Sequence, residues 1–186
     1  MKKILILFMV AFTTLATQAQ TFEKKGPESM PFNTETKEFE YKETIQIDSV
    51  GQQALMIRAQ KWFENIYKNP KSVIKEKTDS TIVGKYQFNL FNDASGTTNT
   101  AGFCHYTITI TCVDNAYTYD ITRINFKSAS YLGIEKWLDP KNKKEEALYA
   151  RYFKQIAEHF DNLTASLKDV MDARATSRPS KVKTTR

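Results

Sequence analysis

The stretch FCHYTITITCVDNAYTYDITRINF, residues 103–126, decides the fold. In its first half, apolar and polar side chains alternate, and successive side chains of a β-strand point to opposite faces of a sheet. This half therefore predicts a strand with one face toward a core and the other toward solvent. Asp114 and Asn115 follow, and both residue types suit the left-handed backbone of a tight turn. The whole stretch predicts a β-hairpin.

The same stretch holds both cysteines of the chain and one of its two histidines, which are residue types that metal sites use. Cys104 and Cys112 share a face of the predicted strand, but the strand between them separates them by roughly 26 Å. His105 points to the opposite face, and the other histidine, His159, lies in a predicted helix far along the chain. We therefore predict two buried structural cysteines, with no disulfide between them and no bound metal.

A strand and a helix are predicted ahead of this hairpin. Residues 38–48 alternate as a half-buried strand. Residues 49–69 carry an apolar stripe at helical spacing. Asp48 or Ser49 is the expected N-cap of this helix, and Pro70 is expected to end it. The stripe consists of Leu55, Ala59, Trp62, Phe63 and Ile66.

Residues 71–91 predict a second hairpin, with its turn at Asp79 and Ser80. Residues 92–102 are small and polar and predict a mobile loop that leads into the hairpin of residues 103–126. In the second strand of the earlier hairpin, apolar and polar side chains again alternate. Its polar face carries Lys85, Gln87 and Asn89, together with Val83.

A long C-terminal helix is predicted over residues 143–172, after an apolar segment, residues 128–142, that is expected to fold back onto the core. Its apolar positions lie alternately four and three residues apart and form a continuous seam. Two interpretations stay open: the seam packs across the sheet, which we favour, or its last turns pair with a second chain. We therefore expect a monomer or a weak dimer through this helix. The seam consists of Tyr149, Phe153, Ile156, Phe160, Leu163, Leu167 and Val170.

Residues 1–19 predict a secretory signal peptide, because two lysines precede an apolar run that ends near the small residues Thr17 and Ala19. This run is shorter than the ~20 apolar residues that a membrane span needs. We expect cleavage near Ala19 and a periplasmic or secreted protein that does not span the membrane. Residues 20–37 contain two prolines and predict a loose leader.

The net charge of +6 is concentrated near the C-terminus. Residues 174–186 hold five basic residues and no acidic one, and they predict a disordered basic tail. Without this tail and the two lysines of the signal peptide, 20 basic residues stand against 21 acidic ones. The sequence does not indicate the basic face that nucleic-acid binders carry. We therefore predict no specific nucleic-acid partner.

The predicted order of elements is strand, helix, four strands and a long helix, which fits an antiparallel sheet with both helices on one face. Four segments resemble a known family: residues 39–48, 54–63 and 80–88, and the hairpin of residues 106–126. The chain resembles the exported Bacteroidetes family known as domain of unknown function 4468, roughly over residues 39–127. The resemblance implies an α+β, TBP-like fold, similar to that of the TATA-binding protein, with a five-stranded antiparallel sheet and two helices on one face. A single domain is expected over residues 38–173.

Two classes of function stay open: a binding module of the cell envelope, and a hydrolase-type enzyme without a recognisable motif. The sequence has no G-x-S-x-G segment, no phosphate-binding glycine loop and no zinc-binding pair of histidines. The family resemblance implies no catalytic residues. We therefore favour a non-enzymatic module without catalytic residues, cofactor or metal, whose partner is an envelope protein or a glycan.

The natural platform for binding is the polar face of the predicted sheet, which antiparallel sheets often leave free of helices. It is expected to be polar, mixed in charge and nearly free of the aromatic rings that nucleic-acid platforms use. The loop of residues 92–102 is the other candidate surface. The candidate binding residues are Lys85, Gln87, His105, Thr107 and Thr109. The rest of the face is expected to present Glu40, Lys42, Thr44, Gln46, Asn89, Thr111, Thr118, Asp120 and Thr122.

Overall fold

The structure, a computed structural model, describes residues 22–25 (backbone only), 30–92 and 99–172. The predicted signal peptide, the basic tail and residues 93–98 of the predicted loop lie outside the described residues. The strands are β1 (Phe22–Lys25), β2 (Met30–Asn33), β3 (Glu38–Phe39), β4 (Tyr41–Gln46), β5 (Ile74–Lys77), β6 (Thr81–Phe91), β7 (Thr100–Val113), β8 (Ala116–Lys127) and β9 (Tyr131–Gly133). The α-helices are α1 (Gln52–Ile66), α2 (Pro70–Val73) and α3 (Glu146–Met171), and Ile134–Leu138 and Pro140–Glu145 form 3₁₀ helices.

An antiparallel sheet in the order β4-β8-β7-β6-β5 forms the centre of the molecule. The short strand β9 pairs with the end of β8, on the edge that β4 leaves open. Helices α1 and α3 pack against each other and on the same face of this sheet. The predicted five strands and two helices on one face are therefore confirmed, with β9 as an addition.

The core lies between the sheet and these two helices. Alternate residues of the central strands face it, and four fully buried rings enter it from the helices. The seam predicted for the C-terminal helix is used inside the domain, since its five central members are buried and Tyr149 and Val170 pack against the core. The rings are those of Trp62, Phe63, Phe153 and Phe160.

The expectation of a loose leader over residues 20–37 is wrong for its described part. Strands β1, β2 and β3 form a small antiparallel sheet beside the central one. Met30 and Phe32 are buried in the core, and the Phe32 ring lies edge-on to that of Phe39, with 5.2 Å between the ring centroids. These apolar contacts hold the segment in place because they remove its side chains from water.

Glu40, which we expected on the polar face of the sheet, is also buried, with 7% of its surface exposed. It lies between β3 and β4, where one carboxylate oxygen accepts a hydrogen bond of 2.9 Å from the Asn33 amide. The Asn33 side-chain oxygen in turn accepts hydrogen bonds from the backbone N–H groups of Glu35 and Thr36. The partners of Glu40 come from the leader, so alternation along its own strand did not reveal its burial.

The N-cap predicted for α1 is wrong, because neither Asp48 nor Ser49 caps the helix. The cap position is Gly51, and the carboxylate of Asp114, from the turn between β7 and β8, accepts a hydrogen bond of 2.8 Å from the Gln52 N–H. Asn115 of the same turn has φ 62°, as its residue type predicted. The hairpin of residues 103–126 thus supplies the cap of a helix that precedes it in the chain.

Replacing Asp114 by alanine is expected to lower the free energy of unfolding by about 1 kcal/mol, because it removes the acceptor for an N–H group at the start of α1. Asp114→Asn keeps a side-chain oxygen at the same place and is expected to retain most of that stability. Urea unfolding of the two variants and the parent chain measures the difference. Equal losses in both variants would show that the cap contributes nothing.

Two boundaries and the burial of one residue differ from the predicted ones. Residues 100–102 belong to β7 instead of the loop, and Gly102 suits a close approach there, since a Cβ on it would lie 2.4 Å from the Lys127 carbonyl oxygen. Helix α3 begins at Glu146, after the 3₁₀ helix. Ile66, placed in the apolar stripe of α1, is 40% exposed.

No helix in the described part of the chain combines the length and apolar content of a membrane span.

The two cysteines lie as the alternation predicted. Cys104 and Cys112 are buried on the core side of one continuous strand, β7, and both thiols are free. Burial raises the pKa of the Cys112 thiol to about 11 and that of Cys104 further, so both stay protonated at neutral pH. Within residues 30–92 and 99–172, no three His, Cys, Asp or Glu side chains cluster in a way that would hold a metal ion.

Candidate binding site on the open sheet face

The open face is the side of the central sheet opposite α1 and α3. The registers of β6, β7 and β8 set its side chains in rows across the strands. The rows are, in order, Lys85, Thr107 and Thr122; then Gln87, His105 and Asn125; then Asn89, Phe103 and Lys127. Four of the five predicted binding residues are therefore neighbours in adjacent rows, and Thr109 follows Thr107 on the same face. That these residues bind a ligand stays a prediction.

A β-bulge in β8 changes what this face presents. Thr107 pairs with Thr122, but His105 pairs with Asn125, so β8 carries one extra residue at this point. Arg123 lies in the bulge and has φ 53°, a left-handed conformation that is uncommon for residues other than glycine. Bulges bend a strand and re-aim side chains, and they are frequent near functional sites.

Aromatic rings reach the open face where none was expected. Strand β9 places Tyr131 opposite Lys127, and the Tyr131 side chain is 60% exposed. Its ring lies edge-on to the His105 imidazole, with 5.1 Å between the centroids, and the Lys127 ammonium lies 4.7 Å from the ring centre. Phe103, in the same row as Lys127, is 38% exposed. The expectation of a face nearly free of rings is wrong at this end of the sheet.

These side chains line a depression of about 390 Å³, which we name the open-face groove. A neighbouring hollow of about 360 Å³ continues it across the sheet toward β5, and the two share Lys85, Thr107 and Arg123. The open-face groove is lined by Ser72, Val73, Lys85, Tyr86, Gln87, His105, Tyr106, Thr107, Arg123, Asn125 and Tyr131. The neighbouring hollow adds Lys75, Glu76, Val83, Thr109 and Thr122. Together, the two depressions include all five predicted binding residues.

The charge of the open-face groove is positive. Among the described residues, Lys85 and Arg123 line it and no carboxylate does, and Glu76 is the one acidic residue of the neighbouring hollow. The charged groups of Lys85 and Arg123 form no ion pair or hydrogen bond with a described residue. The backbone carbonyl oxygen of Arg123 accepts a hydrogen bond of 2.8 Å from the Asn125 amide. Burial and the nearby Lys127 ammonium lower the pKa of the His105 imidazole, whose buried Nε2 has no hydrogen-bond partner among the described residues. The groove therefore presents two cations whose charged groups have no partner among the described residues, beside an imidazole that contacts the Tyr131 ring.

The other end of the open face is paired within itself. The Lys42 ammonium lies 3.7 Å from the Asp120 carboxylate, and the hydroxyl oxygens of Thr44 and Thr118 lie 2.8 Å apart. Burial and the charge of Glu40 raise the pKa of Asp120, although Lys42 opposes this shift. This end offers fewer unengaged groups to a ligand than the open-face groove does.

Two other features of the molecule lie apart from this groove. A hollow of about 440 Å³ near the start of α3 is walled by Trp137 and Tyr149, whose rings stack on each other with 5.2 Å between centroids. His159 lies on the core side of the sheet, stacked on Phe88 at 3.7 Å. Because His105 lies on the opposite side, the two imidazoles cannot act on one substrate together.

Sequence reasoning missed five residues of this region: Phe103, Arg123, Asn125, Lys127 and Tyr131. Phe103 has the same parity as His105 and could have been placed by alternation. The bulge was signalled by Ile121 and Ile124, which lie three residues apart and both face the core. Tyr131 carried no such signal, since its place depends on the pairing of β9 with β8.

Comparison with known families gives a match over residues 41–127 to the family described as domain of unknown function (DUF4468) with TBP-like fold. This segment extends from the start of β4 to the end of β8 and coincides with the resemblance predicted for residues 39–127. The family resemblance is confirmed, and its description assigns no function. The comparison with curated proteins gave no match to this chain.

Two solved structures are similar in fold. A DUF4468 family protein from Bacteroides ovatus ATCC 8483 has a TM-score of 0.57 and 18% identity, over 76% of this chain and 90% of its own. A TBP-like protein from Parabacteroides distasonis ATCC 8503 has a TM-score of 0.53 and 15% identity, over 70% of this chain and 93% of its own. At these identities the likeness shows the fold alone, and the TBP-like fold class is confirmed.

Proposed function

We propose that this protein is a non-catalytic binding module of the cell envelope that binds its ligand on the open sheet face. The observation that carries the proposal is the open-face groove, where a bulge in β8 turns Arg123 toward side chains from β6 and β7. An exported location, in the periplasm or outside the cell, follows from the signal-peptide features of residues 1–19.

The chemistry of the groove supports binding through hydrogen bonds and charge. Gln87 and Asn125 each offer a donor and an acceptor, and Thr107 offers a hydroxyl group. The side chains come from three neighbouring strands of one sheet, so their spacing is fixed by the ladder hydrogen bonds. A rigid platform of this kind orients a ligand without ordering a loop, which lowers the entropic cost of binding.

The proposal is tested by retention of envelope material on the immobilised chain of residues 20–186. Soluble envelope proteins and envelope polysaccharides from the native host are passed separately over the parent chain and a Gln87→Ala/His105→Ala variant. The parent chain is expected to retain one component, and the double variant about tenfold less of it, since two hydrogen-bonding side chains are lost.

The matched control is Gln53→Ala/Asn65→Ala, which removes two exposed polar side chains from α1 on the other side of the molecule. This variant is expected to retain as much as the parent chain. Loss of retention in the α1 variant alone, or no retained component with the parent chain, would overturn the proposal.

A further inference from the structure

We infer that the open-face groove binds an acidic saccharide, and that Arg123 and Lys85 hold the sugar carboxylate; this inference rests on the proposed function. The inference deepens the proposal because it names the chemical class of the ligand. It depends on three observations: unengaged cations in the groove, a backbone that re-aims one of them, and an exposed ring beside amide side chains.

The first observation is the charge. Lys85 and Arg123 line both the open-face groove and the neighbouring hollow. Lys75 adds a third cation from β5, although its ammonium donates to the Ser72 carbonyl oxygen. In the described part of the chain, Glu76 is the one carboxylate along the two depressions. Since like charges repel, such a surface favours a ligand that carries a negative charge.

The second observation is the placement of Arg123. Its left-handed backbone, with φ 53°, is strained for a residue other than glycine. In return, the bulge places Arg123 along the same two depressions as Lys85 and Thr107. A third, smaller hollow that Arg123 lines also holds Glu38 and Glu135. A guanidinium binds a carboxylate through two parallel hydrogen bonds, which fixes the position of the ligand as well as its charge.

The third observation distinguishes a saccharide from other anions. Tyr131, 60% exposed at the edge of the groove, offers the C–H groups of a sugar ring the flat apolar ring face that the Lys127 ammonium does not cover. Gln87 and Asn125, in the row beside it, can donate to and accept from sugar hydroxyls. The volume of about 390 Å³ lies in the range of small-ligand sites and suits one or two sugar rings.

A nucleic acid fits these features less well. Single strands bind along a continuous basic track with a series of stacking rings. Here the basic residues are confined to one end of the sheet, and the paired Lys42 and Asp120 occupy the other end. An acidic peptide would satisfy the charge, and its backbone would pair with the amide side chains, but its acidic side chains would not present the flat C–H face of a sugar ring to Tyr131.

The test is an isothermal titration of the chain of residues 20–186 with digalacturonic acid and, separately, with its neutral dimethyl ester. The acid is expected to bind about tenfold more tightly than the ester, because a charged hydrogen bond to Arg123 is lost in the ester. Arg123→Gln and Lys85→Gln are each expected to weaken binding of the acid about tenfold, to the affinity of the ester, and to leave binding of the ester unchanged. Lys61→Gln, on the exposed side of α1, is the matched control and is expected to bind as the parent chain does.

The outcomes separate the inference from the proposed function. If the acid and the ester bind equally, the ligand is not recognised by its charge. The same holds if the acid binds Arg123→Gln and Lys85→Gln as tightly as it binds the parent chain. Either result would overturn the inference of an acidic ligand but not the proposed binding module. If pentaglutamate or inorganic phosphate binds and neither sugar does, the inference that the ligand is a saccharide would be overturned. No binding of either sugar would also overturn the inference, whereas the proposed function would fall only if the retention experiment fails as well.

Discussion

Replacing Gly84 by alanine is expected to lower the free energy of unfolding by about 2 kcal/mol, which corresponds to a fall of roughly 6 °C in the melting temperature. A Cβ on Gly84 would lie 2.6 Å from the Phe63 Cε1 atom and 3.3 Å from the Ile108 Cγ2 atom. Phe63 is fully buried and cannot move aside freely, because the Trp62 ring packs edge-on to it with 5.0 Å between centroids. Thermal and urea unfolding measure the loss.

A double-mutant cycle identifies the cause. Phe63→Leu alone is expected to destabilise the protein, but it opens space beside Gly84, so the double variant should lose less stability than the sum of the single losses. Gly51→Ala is the matched control, since a Cβ there meets only the Asp114 carboxylate at 3.7 Å. Its loss is expected to stay within about 1 kcal/mol. Strict additivity in the cycle would show that Phe63 is not the obstacle.

The fold was predictable where neighbouring residues decide it. Strand β7 alternates over its whole length, so its core face, its open face and the burial of both cysteines followed from the period of two. The turn after it was predictable for the same reason, because Asn115 supplies the left-handed conformation within the hairpin itself. The seam of α3 similarly predicted which of its residues would be buried.

Features that depend on distant partners were not predictable. The N-cap of α1 comes from Asp114, about sixty residues later in the chain, and no local pattern connects the two. Glu40 alternated as a surface residue, yet Asn33 in the leader buries it. Both errors have one cause: a hydrogen-bond partner supplied by another segment overrides the local preference of a residue.

The candidate site shows the same division. Lys85, Gln87, His105 and Thr107 were placed on one face by alternation alone, and the structure brings them into one groove. The features that give the groove its character are the bulge at Arg123 and the pairing of β9, and these are departures from regular alternation. A charge count could not have found the positive groove, because the folded part of the chain is nearly neutral as a whole.

Acid is expected to destabilise this protein through His159. The imidazole is packed against the Phe88 ring at 3.7 Å, and its Nε2 has no hydrogen-bond partner among the described residues. Burial lowers the pKa of His159 from 6.5 to about 4. Between these two values the unfolded chain binds the proton more readily than the folded one, so the free energy of unfolding falls as the pH falls from 6.5 to 4. The loss amounts to about 2–3 kcal/mol, after allowance for the partial exposure of the ring.

Urea unfolding of the parent chain and of His159→Gln and His159→Leu, at pH 7 and at pH 4, measures this contribution. Both variants are expected to show a pH-dependent loss that is smaller by about 2 kcal/mol, whatever their stability at pH 7. The control is His105→Gln. The pKa of His105 is also lowered, but its ring lies on the open face, so removing the ring should change the pH dependence of stability less than removing His159 does. Two carboxyl groups also have shifted pKa values: that of Glu43 is lowered, since hydrogen bonds from Lys168 and Tyr119 outweigh its burial, and that of Asp120 is raised. Both groups are present in every variant, so their contributions cancel when the variants are compared. An unchanged loss in both His159 variants would mean that the imidazole is as easily protonated in the folded protein as in water.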